Sequence, residues 1–223
     1  MTLAGALVSC TFLGLQHGID VDHVAAITDV TSIQRTPLDA TRCGLLYAVG
    51  HAATVGLLGI GVITLKHSVP PQASMWMERV IGVTLVLLGA YVFASLFNGG
   101  TPMGRGRALL SIIDHLRGRP VKADTARGYG PKSSLSLGVL HGVGAETPTQ
   151  LSVLLITSNL GGIQNGILGL AVFAVGMFVS NMVLTTAAAG VFSISRARPA
   201  VFRALAAFTA AYSLWIGIKM VAG

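Results

Sequence analysis

The segment Gln16-His17-Gly18-Ile19-Asp20-Val21-Asp22-His23-Val24 sits inside apolar sequence, with Leu3 to Leu15 before it and Val24 to Ile27 after it. Ionisable side chains inside a membrane span cost several kcal/mol each, so they persist where they face a cavity, a partner or an ion. The apolar flanks predict a membrane-embedded helix, and the four titratable groups predict a site within it. Imidazole and carboxylate together form the ligand set of a divalent transition metal.

The whole chain agrees with the flanks. Of its 223 residues 52% are hydrophobic and only 10% charged, and the mean hydropathy is +0.73. A soluble domain carries about 25% charged residues. These values predict an all-α membrane protein folded as one compact bundle. A span needs about 20 mostly apolar residues. Six transmembrane segments meet that requirement, near residues 3–30, 40–65, 75–97, 134–157, 163–192 and 200–221. The first and fifth are long enough to be tilted or broken. The first apolar run leads straight into the His/Asp cluster without a basic leader, so no cleavable signal peptide is expected. Cys10 and Cys43 both fall within spans and are expected to pack rather than pair.

The net charge of +7 points to the membrane rather than to nucleic acid, because the basic residues occupy the connections between apolar runs. Arg35 and Arg42 flank the first connection. The third holds Arg105, Arg107, Arg117, Arg119, Lys122, Arg127 and Lys132, and the fifth Arg196, Arg198 and Arg203. Only Lys66, Arg79 and Lys219 fall on the opposite side. The positive-inside rule places the three basic connections in the cytoplasm and both termini outside it. In the loop between Asn98 and Lys132, apolar residues from Leu109 to Leu116 recur at helical spacing. They fit either a short helix on the cytoplasmic leaflet or a solvated linker.

The two halves echo each other. Leu15-Gln16-His17-Gly18, with Asp22 five residues after the histidine, is matched by Val139-Leu140-His141-Gly142 with Glu146 at the same distance. Tyr47-Ala48-Val49-Gly50-His51 is matched by Phe173-Ala174-Val175-Gly176-Met177. The offsets are 124 and 126 residues, and Arg79 and Arg203 also differ by 124. This pattern predicts two inverted three-helix repeats, because an odd number of spans per unit reverses the second copy. Residues 1–97 form the first repeat, 98–132 a basic cytoplasmic loop and 133–223 the second repeat. Inverted repeats are the architecture of secondary transporters, whose sites lie near the midplane at interrupted helices. Gly18, Gly142, Gly144 and Pro148 are the expected interruptions.

In a straight helix His17 and Asp20 share a face while Asp22 and His23 point elsewhere. Convergence of all four therefore requires unwinding near Gly18. The expected metal set is His17, Asp20, Asp22, His23 and His51, with Asp20 and His23 open to an orienting role instead. His141, Glu146, Met177 and Asn181 are expected along the pathway or in proton coupling, against the alternative that Met177 and Asn181 only pack. Asp29, nearer the cytoplasmic end, is expected to cap its helix or pair with Arg35. His67 and His115 read as interfacial or surface residues.

At these residues the chain resembles the nickel/cobalt transporter family of secondary permeases, whose signature has the form His-x4-Asp-His. His17 to His23 fits it, including the extra acid Asp20. Gly50-His51-Ala52-Ala53-Thr54-Val55 is similar to the family's Gly-His motif in the next span. A later acid-rich motif is matched only at Glu146. A Gly-Met motif followed by aspartates is matched only at Gly176-Met177, with Asn181 and Leu184 where acids are expected. The family's extra N-terminal span has no counterpart, so the resemblance is to a compact or divergent member. It implies transport of Ni²⁺ or Co²⁺ across a prokaryotic inner membrane without ATP. In agreement, the chain has no Gly-x4-Gly-Lys-[Ser/Thr] loop.

The expected function is thus secondary transport of a divalent metal ion, with the metal as substrate and no prosthetic group. The alternatives are a proton-coupled carrier of another small solute and a membrane-embedded metal-dependent hydrolase. The lipid bilayer is the expected surrounding. A homo-oligomer, a separate ATPase and an accessory subunit are left open by the sequence.

Overall fold

The computed structural model describes residues 2–65, 71–97, 130–143 and 148–223. Glu146, Gly144, His67, Lys66 and the basic loop up to residue 129 lie outside the described residues. Among the described residues the protein is all-helical, with α1 (Leu3–His17), α2 (Val21–Ser32), α3 (Pro37–Leu65), α4 (Pro71–Phe97), α5 (Pro131–Val143), α6 (Pro148–Ser158), α7 (Ile163–Ser195) and α8 (Pro199–Ala222).

Punctuation in the sequence sets these boundaries. Five of the helices begin on a proline. Proline's missing N–H is harmless in the first turn, and its fixed φ suits the helix. At α3 the preceding Thr36 caps the helix with its side chain. Its Oγ1 accepts from the Asp39 amide at 3.1 Å and donates to the Asp39 carboxylate at 2.7 Å. Before α7 the chain turns at Gly161 (φ 76°) and Gly162 (φ 150°), a left-handed region that other residues enter only with strain. Just past the C-terminal end of α2, Arg196 donates to the carbonyls of Gln34 and Arg35, which tethers that turn to the end of α7.

Four stretches are long and apolar enough to cross a membrane, namely Pro37–Leu65, Met75–Leu96, Ile163–Ser195 and Pro199–Ala222. Large apolar side chains such as Ile194, Leu57 and Phe208 stand more than two-thirds exposed on the outside of the bundle. Such a surface belongs in lipid, and the protein is a multi-pass membrane protein. The first apolar segment is interrupted as expected, since α1 ends at His17 and α2 begins at Val21.

The helices pack through glycine. The most extensive interfaces are α4 with α8, α3 with α5, α1 with α7 and α3 with α7. A Cβ on Gly14 would overlap the Phe173 carbonyl, and one on Gly138 would overlap the Tyr47 carbonyl. Likewise Gly50 lies against the Leu135 carbonyl and Gly176 against the Thr11 carbonyl. Small residues let backbones approach in a medium where apolar burial drives nothing. Each α1–α7 contact has an α5–α3 counterpart at the 124 and 126 offsets of the sequence. Cys10 and Cys43 are free thiols buried in the packing.

Candidate metal centre

The break between α1 and α2 builds the site. His17 is the last residue of α1, and Asp20 takes the N-cap position of α2 with extended backbone (φ −60°, ψ 156°). Its side chain makes no capping bond. Instead Asp20 Oδ2 lies 3.1 Å from His17 Nδ1. One turn of missing helix thereby folds His17 back over the start of α2, where His23 and Asp22 emerge. His23 Nδ1 lies 3.2 Å from Asp22 Oδ1.

Both carboxylates accept, so both imidazoles carry their proton on Nδ1 and present Nε2. His51, from the middle of α3, completes the group. Its Nε2 is 3.2 Å from His17 Nε2 and 3.2 Å from His23 Nε2. The ring centroids are 4.7 Å (His17 to His23), 5.4 Å (His17 to His51) and 4.5 Å (His23 to His51) apart. All three rings are buried, and their ligand atoms lie within 4.8 Å of one another.

Three imidazole nitrogens turned toward one point is a costly arrangement without a cation among them. Metal–nitrogen bonds of about 2.0–2.1 Å in a tetrahedral site separate neighbouring donors by about 3.3 Å, close to the spacing here. Each outer histidine has its second nitrogen on a carboxylate, the pattern that fixes the tautomer and raises the basicity of a metal ligand. The set can hold a divalent transition ion.

Of the other residues expected here, Asp22 is buried beside His23 and Asp20 is partly exposed. His141 is buried on α5 with its ring 6.3 Å from His23 and 5.6 Å from Tyr47. Met177 is fully buried and packs with Phe173, Cys10 and Val55. Asn181 is fully buried, and neither amide atom has a hydrogen-bond partner among the described residues. Glu146 lies outside the described residues.

Two aromatic walls escaped the sequence reading. Phe173 lies over His17 with centroids 5.4 Å apart, and Tyr47 lies against His51 and His141. They head the two matched pentapeptides, and that equivalence was the available signal. Asp29 corrects an expectation outright. It is fully buried, and among the described residues neither oxygen meets a hydrogen bond of full geometry, whereas Arg35 is exposed. The helix α2 runs on for a turn past Asp29, which removes it from the end where a cap or an Arg35 pair would form.

The family model for the transmembrane region of cytochrome c biogenesis proteins matches residues 22–215. The chain belongs to that family. Among curated relatives of this family member, the urease accessory protein UreH of Bacillus sp. (strain TB-90) is 25% identical, over 92% of this chain and 86% of its own length. The hydrogenase nickel incorporation protein HupN of Bradyrhizobium diazoefficiens is 29% identical, over 89% of this chain and 56% of its own. The nickel transporter NixA of Staphylococcus aureus is 28% identical, over 66% of this chain and 48% of its own. The chain thus spans about half the length of HupN and NixA. The motif resemblance to nickel/cobalt transport proteins is upheld by these relatives. No solved structure matches the chain at a significant level.

Proposed function

We propose that this chain is a secondary transporter of a divalent transition-metal ion, Ni²⁺ or Co²⁺, across a prokaryotic inner membrane. The observation that carries the reading is the convergence of His17, His23 and His51 Nε2 atoms in a buried pocket, two of them backed by carboxylates. These three are the ligands, with Asp20 and Asp22 orienting them and adding negative charge. The ion is substrate, and it enters after shedding water to the imidazoles. His141, Asn181 and Met177 line its route, together with Glu146. The unpartnered buried amide of Asn181 supports that role, because such a group costs free energy unless a ligand or water meets it.

The architecture of this proposal is six spans in two inverted units, residues 1–97 and 133–223, joined by the basic segment 98–132. Interrupted spans α1–α2 and α5–α6 open each unit, and both termini face away from the cytoplasm. The paired glycine contacts at matching offsets support the inversion. So do the crossing senses: α1 runs parallel to α7 and α3 parallel to α5, while α3 and α7 run antiparallel.

Isothermal titration of the metal-stripped protein with Ni²⁺, Co²⁺, Zn²⁺ and Mn²⁺ tests the site, beside a His17→Ala, Asp22→Ala double variant. Saturable binding by the parent that the double variant loses is the expected result, followed by ion uptake into reconstituted vesicles. Binding that survives in the variant, or no binding by the parent, removes the metal-transport reading.

A further inference from the structure

Asp29 is a carboxylate that the metal site does not use. It lies on α2 seven residues beyond Asp22, on the same helix face and about 10 Å further along the axis. It is fully buried, and among the described residues neither Oδ1 nor Oδ2 meets a hydrogen bond of full geometry. The polar groups beside it are the hydroxyls of Ser213 and Thr209 on α8. Ser213 Oγ is itself buried without a partner, while Thr209 donates to the Ala206 carbonyl at 3.1 Å. Its helix neighbours Ala25, Ala26 and Val30 belong to the buried apolar core, as does Ala210 next to Thr209.

Among the described residues no ion pair reaches it, and the nearest guanidinium groups, Arg35 and Arg196, line the neighbouring cavity. On α8, Arg203 and Lys219 are exposed, and α7 carries no Asp, Glu, Lys or Arg. On α4 the charged groups are Glu78, exposed, and Arg79, at the end that packs near Gly217. On α3, Asp39 and Arg42 sit near the helix start, and His51 belongs to the metal cluster. Tyr91 of α4 and Tyr212 of α8 are the titratable hydroxyls of the surrounding wall.

A carboxylate so placed needs a cation. Four oxygens, two of them neutral hydroxyls, fall short of the six or more that Ca²⁺ or Mg²⁺ takes, whereas a proton needs only one. A cavity of about 380 Å³ that can hold water opens beside this stretch of α2, lined by Ser32, Gln34, Arg35, Arg196 and Ala206 but not by Asp29 itself. Ser32 is one turn from Asp29, and Ala206 one turn from Thr209.

We propose that Asp29 is a proton-carrying site, separate from the histidine cluster, that exchanges its proton with water of this cavity when the metal ion arrives or leaves. The O–H bond of the Asp29 carboxyl breaks, the proton passes to cavity water, and the negative charge left behind is balanced by the divalent ion about 10 Å away along α2. Return of the proton follows loss of the ion. This inference rests on the metal-transport reading and adds its coupling ion.

The test is calorimetric titration with Ni²⁺ in buffers of different ionisation enthalpy, which counts protons released per ion bound. The parent protein is expected to release a proton that Asp29→Asn does not, while Asp29→Asn still binds Ni²⁺. Equal proton release by parent and Asp29→Asn overturns the proposal and leaves the metal site standing. Failure of the parent to bind Ni²⁺ removes the transport reading itself. Asp29→Glu guards against a misfolded Asn variant: it is expected to restore release with a shifted pH profile, and an unshifted profile counts against Asp29. Release that responds to Na⁺ rather than to pH overturns the proton assignment.

Discussion

The protons on His17 and His23 Nδ1 are held by Asp20 and Asp22, and this decides which nitrogen each ring offers to an ion. Removing a carboxylate without removing its imidazole therefore tests orientation apart from ligation. Asp22→Asn is expected to weaken metal binding by about 10–100-fold, the usual effect of losing a group that orients a ligand imidazole. Asp20→Asn is expected to weaken it less, because Asp20 is partly exposed and water replaces part of its field. The variants are compared by calorimetric titration, and equal affinities for parent and both variants contradict the orienting role. The pH dependence has a definite sign. A proton on Nε2 competes with the ion, so affinity falls as pH drops.

At this scale the sequence spoke clearly about which residues converge and poorly about why. His17, Asp22 and His23 announce themselves because ionisable groups stand out in an apolar run. Phe173 and Tyr47 do not, because an aromatic in an apolar run is what any span contains. Asp29 was misjudged because helix length past it was not legible: Thr31 and Ser32 bond back to carbonyls of their own helix and let α2 continue.

Among elements, the contacts that set the geometry are those where backbone meets backbone. Gly14 and Gly138 hold α1 against α7 and α5 against α3, and neither tolerates a Cβ without displacing a carbonyl. Gly14→Val and Gly138→Val are each expected to destabilise the fold by about 1–3 kcal/mol through overpacking. Gly56, with open space around it, is the control, and Gly56→Val is expected to be near neutral. Loss of the folded fraction on heating in detergent measures the difference, and equal stability of Gly14→Val and Gly56→Val would refute the close-packing argument. Four of the six expected spans were legible from hydropathy, and the break at Gly18 from the spacing of the acids. Which helix packs on which was not, since a lipid-facing stripe and a protein-facing stripe are both apolar and differ mainly in glycine.

For the whole molecule, the pattern of interfaces constrains how such a site opens. The larger contacts do not lie within either half of the sequence. α1, from the first half, lies backbone to backbone on α7 from the second, and α5 lies in the same way on α3. These two pairs form slabs, each drawing on both halves, beside a third such pair made by α4 and α8. They meet where α3 crosses α7, and there the contact runs through side chains, with Thr185 over Gly44 and Leu170 over Gly59. His17 belongs to one slab and His51 to the other, yet their Nε2 atoms are 3.2 Å apart. The candidate ligand set thus straddles the seam, and a small slide along α3 and α7 parts the ligands. Rigid rocking of one sequence half on the other would instead tear the glycine-packed pairs. Cross-links separate the two motions. A disulfide across the seam, from Gly44→Cys and Thr185→Cys in a protein lacking its native cysteines, is expected to stop ion flux in vesicles and leave metal binding intact. Reduction should restore the flux. A disulfide within a slab, from Gly169→Cys to native Cys10, whose Sγ lies 3.5 Å from the added Cβ, is expected to leave flux largely unchanged. Flux that survives the seam cross-link, or that is lost only with the slab cross-link, would mean that the two halves of the sequence move as the rigid bodies instead.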